Sequence, residues 1–149
     1  MKRYPKETAE SRLFDTIVGG ISRLFSGRRS SGLAHQVGTA VDRSYIQTEW
    51  QRIQQSMQEG GESRFQQAVI AADKLLDHVL RSLVPGETMG DRLKNARDVF
   101  RSAEAYQAAW NGHKLRNRLV HEVNYQTLSW EAERAIEDFE KALRDVGVL

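Results

Sequence analysis

The chain contains no cysteine, which excludes disulfide staples, thiolate nucleophiles and cysteine-based metal sites. Only two prolines occur in 149 residues, so helices can run long without interruption. No stretch approaches the roughly 18 consecutive apolar residues that span a bilayer, and the opening Met1-Lys-Arg-Tyr-Pro-Lys6 is not followed by the apolar core of a signal peptide. The expected location is cytoplasmic. Strand signals are missing too, because nowhere do four or more residues alternate apolar and polar with the period of a half-buried strand.

What is there belongs to a wet globular chain, with 40% apolar and 28% charged residues and the length of one domain. The formal net charge of +2 is unevenly spread: residues 1–36 carry seven Lys/Arg against three Asp/Glu, and residues 37–149 carry fifteen against seventeen. A basic arm ahead of a near-neutral body suits an anionic partner, either nucleic acid or lipid headgroups, or is a solvated tail.

Leu13, Phe14, Ile17, Val18, Ile21, Leu24 and Phe25 recur at helical spacing, so residues 9–25 read as an amphipathic helix, weakened by Gly19-Gly20. It can dock on the body, pack on a partner or lie on a membrane surface. Ser26 to Gly32 then reads as a linker, which divides the chain into an N-terminal segment, 1–36, and a helical body, 37–149. In the body, apolar stripes run from Val37 to Met57, from Phe65 to Leu83 and from Leu93 to Phe100. A short segment, 103–110, leads to a helix around 114–122, and a last stripe runs from Trp130 to Val146. Ser63 with Gln66 and Thr88 with Asp91 read as helix-start pairs. The expected fold is all-α: an antiparallel bundle of four to five helices with an additional N-terminal amphipathic helix. Trp50, Trp110 and Trp130 all read as core residues.

The segment Lys114-Leu-Arg-Asn-Arg-Leu-Val-His-Glu122 carries the chemistry. At about 100° per residue, Arg116 and His121 lie roughly 140° apart, with Asn117 between them and in line with His121 one turn later. Leu115, Leu119 and Val123 form the opposite, core-facing stripe. Histidine supplies and accepts protons near neutrality, while arginine grips phosphate oxygens with a planar fork and never loses its charge. His113 shares the Asn117/His121 face, and Lys114 and Arg118 flank it, so the three suggest a basic rim for substrate phosphates. A single histidine is hard pressed to act as both base and acid, so a two-fold dimer placing two such helices together is expected.

Arg116-Asn-Arg-Leu-Val-His121 resembles the Arg-x4–6-His motif of the HEPN superfamily, including the polar residue that follows the arginine in many members. The resemblance covers the bundle and leaves out residues 1–36. It implies a homodimeric, metal-independent endoribonuclease without a cofactor, acting on RNA, single-stranded in expectation. Arg116 would bind and stabilise the phosphate, His121 would transfer protons and Asn117 would position one of them. Toxin-like members imply a neutralising antitoxin partner. Some members place an acidic residue of an earlier helix near the motif. Asp73 is the candidate by position, although Asp73 and Asp77 also read as two solvated carboxylates. The remaining alternatives are a non-catalytic nucleotide- or RNA-binding module of the same fold, and a membrane-peripheral scaffold that uses residues 9–25.

Overall fold

Asp42 caps the first helix of the structure, a computed structural model that describes residues 41–149. Its Oδ1 accepts hydrogen bonds from the Ser44 and Tyr45 amides at 2.9 and 3.3 Å, satisfying donors that a helix start leaves unpaired. The hydroxyl and amide of Ser44, with the amide of Tyr45, hold the Asp42 carboxyl below its ordinary range. Five helices follow: α1 (Arg43–Glu59), α2 (Glu62–Arg81), α3 (Met89–Asn95), α4 (Ala103–His121) and α5 (Ser129–Asp145). Among the described residues there is no strand. The expected N-terminal helix, its linker and the start of the first apolar stripe lie outside the described residues.

Gly60 and Gly61, at φ 71° and 94°, make the turn between α1 and α2 in a backbone region that glycine enters without strain. That turn lets α2 begin at Glu62, so Ser63 lies inside the helix, where its hydroxyl meets Gln67 Nε2 at 3.4 Å, and the expected Ser63/Gln66 cap does not form. Thr88 and Asp91 do form a reciprocal box: Thr88 Oγ1 accepts from the Asp91 amide at 3.1 Å, and Asp91 Oδ2 accepts from the Thr88 amide at 3.2 Å. Ser102 caps α4 through the Ala105 amide at 3.1 Å. From there α4 runs unbroken to His121, joining what the sequence divides into a short segment and a motif helix.

Helix α2 packs against all four others. Its central place explains why Val69, Ala72, Leu76, Val79 and Leu80 are completely buried. The most extensive pairing joins α4 to α5, where Gly112 lets the backbone approach the Phe139 ring; a Cβ at Gly112 would stand 2.7–2.9 Å from three ring carbons. A part-buried ion pair ties α3 to α2: Arg92 Nε lies 2.6 Å from Asp77 Oδ1, and another nitrogen of Arg92 donates to the Gly86 carbonyl. Asp77 is thus no free solvated carboxylate; its second oxygen holds Arg81 at 2.9 Å.

Trp50 and Trp110 are core residues at 4% and 1% exposure, but Trp130 is 62% exposed. Nine residues separate Trp130 from the buried Phe139, about 180° around the helix, so the indole faces away from the stripe it was expected to join. Val123 departs likewise: it follows the end of α4 and is 89% exposed, whereas Leu115 and Leu119 pack against the core.

Candidate active site

Asp73 occupies a core-phase position on α2, four residues after Val69 and three before Leu76, and is buried together with them. A carboxylate there needs partners. It finds them on α4, where Asp73 Oδ1 lies 2.7 Å from His113 Nδ1 and Oδ2 lies 3.5 Å from Arg116 Nε. The expectation of a solvated Asp73 is therefore overturned, because the helix phase places it under α4.

His113 is itself buried, with the edge of its ring against Trp110 at a centroid distance of 6.2 Å. Its other nitrogen, Nε2, lies 3.1 Å from Asn117 Nδ2, one turn along α4. The Asn117 Oδ1 in turn accepts from Arg116 Nη1 at 3.0 Å. Every one of these contacts is satisfied when Nδ1–H of His113 donates to Asp73 and Nε2 accepts from the Asn117 amide. Arg116, Asn117, His113 and Asp73 form one ring of contacts running from guanidinium to carboxylate and back.

The motif's three residues are thus divided. Arg116 and Asn117 are brought together with Asp73 and His113, while His121 stands exposed in the last turn of α4 and is no part of the ring. His113, expected on a basic rim, is buried and tied to Asp73, and so is not placed to meet a phosphate. Lys114 is half-buried on the same helix. Comparison with protein-family models, with curated proteins and with solved structures gives no match.

Arg118 also has work within the fold. Its guanidinium lies 4.2 Å from the centroid of the Tyr125 ring, and it reaches Glu122 at 3.7 Å and Glu131 at 3.8 Å. Tyr125 donates its hydroxyl to Glu131 Oε1 at 2.6 Å, while Glu131 Oε2 accepts from the Leu128 amide at 3.2 Å. Partial burial, and then the bond to the carboxylate, push the Tyr125 phenol up to about 12. This cluster braces the loop that follows His121. Neither Tyr125 nor Glu131 stands out in the sequence as a site residue; the signal was only a tyrosine six residues ahead of an acid in the first turn of a helix.

Around the same end of the bundle Val120, Val123, Leu128 and Trp130 are exposed. An open groove of about 500 Å³ lies elsewhere, between Ser102 at the start of α4 and Glu137, Glu140, Lys141 and Arg144 of α5. Among the described residues no group of three or more His, Asp or Glu side chains is arranged to hold a metal ion, and no helix is long and apolar enough to cross a membrane.

Proposed function

We propose that the protein is a HEPN-like, metal-independent endoribonuclease whose active site is completed by a second copy of the chain. The observation that carries this reading is the contact of Asp73 on an early helix with Arg116 of the late motif helix, with His121 left accessible in the last turn. In the proposed reaction one His121 takes the proton of the ribose 2′-hydroxyl as its oxygen attacks phosphorus. A second copy of His121 protonates the departing 5′-oxygen, leaving a 2′,3′-cyclic phosphate and a 5′-hydroxyl. Arg116, charged throughout, offers its remaining N–H groups to the phosphorane oxygens.

Wild-type protein is expected to cleave single-stranded RNA in EDTA. His121→Ala and Arg116→Ala should each lower the rate by about 10²–10⁴-fold, the usual range for a proton-transfer or charge-stabilising group. Equal rates in all three proteins exclude the enzymatic reading. A second reading, a non-catalytic RNA- or nucleotide-binding module, is favoured by one observation: both ends of the Asn117 amide are engaged within the protein. RNA binding without cleavage would select it.

A further inference from the structure

The ring of contacts on α4 gives a role to a histidine outside the motif. An amide has a donor end and an acceptor end, and Asn117 can satisfy its neighbours in only one orientation. With Nδ2 toward His113 Nε2 and Oδ1 toward Arg116 Nη1, each donor meets an acceptor. Turned over, the NH₂ group would face the guanidinium and the oxygen would face a bare ring nitrogen, leaving two mismatches. The acceptor at Nε2 exists because Asp73 holds the ring proton on Nδ1 at 2.7 Å. Orientation therefore passes from Asp73 through His113 and Asn117 to Arg116, while the core packing of Asp73 and His113 keeps its origin fixed.

We propose that His113, oriented by Asp73, is a positioning residue that sets the Asn117 amide and, through it, the direction in which Arg116 presents its free N–H groups to a phosphate. The assignment of that phosphate to RNA rests on the ribonuclease reading; the positioning itself does not.

Two substitutions separate positioning from packing. A glutamine amide reaches the place of the imidazole Nε2 and can accept from Asn117 while giving up the bond to Asp73, whereas an asparagine amide reaches only the place of Nδ1 and can bond only Asp73. Both are made in the full chain, and thermal unfolding identifies folded variants. Nitrogen-detected NMR of the wild type is expected to show His113 protonated at Nδ1 and bare at Nε2. His113→Asn should shift the side-chain resonances of Asn117 and the Arg116 Nε–H, while His113→Gln shifts those of Asn117 less. On an RNA substrate, His113→Asn should lower kcat on the order of 10- to 100-fold with KM nearly unchanged, the cost of a misdirected transition-state contact. His113→Gln, which keeps an acceptor for Asn117 but not the bond to Asp73 that orients it, should lose less activity than His113→Asn.

Unchanged Asn117 and Arg116 resonances in His113→Asn, or equal losses in two equally stable variants, overturn the proposal. If a His113 variant does not fold, Asn117→Asp at a part-exposed position decides instead. It removes the donor to Nε2, so the His113 ring nitrogens should change protonation pattern, and an unaltered pattern rejects the coupling. A wild-type protein that does not cut RNA removes the ribonuclease reading, and the resonance measurements then decide the positioning role alone.

Discussion

At Tyr125, burial and a carboxylate acceptor keep the phenol protonated up to about 12 in the folded chain, against about 10 for an exposed tyrosine. Because the folded value is the higher one, the stabilising contribution is complete below about pH 10 and is lost as pH rises through the folded value. An ultraviolet titration of tyrosinate should thus contain one late step that is absent in Tyr125→Phe. Glu131→Gln removes the anionic acceptor and should bring that step down toward the ordinary range; a step left in place would mean that Glu131 does not act on the phenol. Asp73 shows how much of such chemistry is legible beforehand. Its phase with Val69 and Leu76 is that of the core stripe, although the carboxylate also reads as solvated; once buried, it demands a cation or a donor. Which donor it finds depends on how α4 lies across α2, and a one-dimensional pattern does not contain that crossing.

Among the helices, α4 shows where composition misleads. Gly112 lowers helix propensity by about 1 kcal/mol relative to alanine, and a helix divided near it is a fair reading. The glycine persists because Phe139 occupies the space a side chain would need. Gly112→Ala should therefore destabilise the protein by up to about 2 kcal/mol, the overpacking cost of about 1–3 kcal/mol being partly offset by the propensity gain of about 1 kcal/mol. Chemical denaturation measures it, and Gly112→Ala in a Phe139→Leu background should cost less than in the wild type. A stabilised Gly112→Ala would show that the ring moves aside freely. The helical class, the Thr88/Asp91 start and most core positions were readable because periodicity and caps are local. Trp130 reads as the start of the last apolar stripe but is exposed, and its half-turn offset from Phe139 is present in the spacing.

Across the whole molecule, the described body carries fifteen basic and seventeen acidic residues, a weak field for attracting RNA. A composite site would thus depend on how copies meet as much as on charge. Trp50 and Trp110 are buried and Trp130 is exposed, so a collisional quencher of fluorescence reports chiefly on Trp130. If two copies join at the end that carries His121, Trp130, Val120, Val123 and Leu128 become covered. Quenching should then fall with rising protein concentration, in step with the mass measured by light scattering. A mass that doubles while quenching stays constant places the interface elsewhere and removes the composite site.

The Gly60-Gly61 turn has a consequence for how the molecule comes apart. Among the described residues helix α1 packs chiefly on α2, which it reaches through two residues with no side chains to anchor the joint. The ring of Asp73, His113, Asn117 and Arg116 lies on the other helices of the bundle. The first helix can therefore open as a local unit, exchanging its amide protons early, while the polar ring stays closed until α2 and α4 separate.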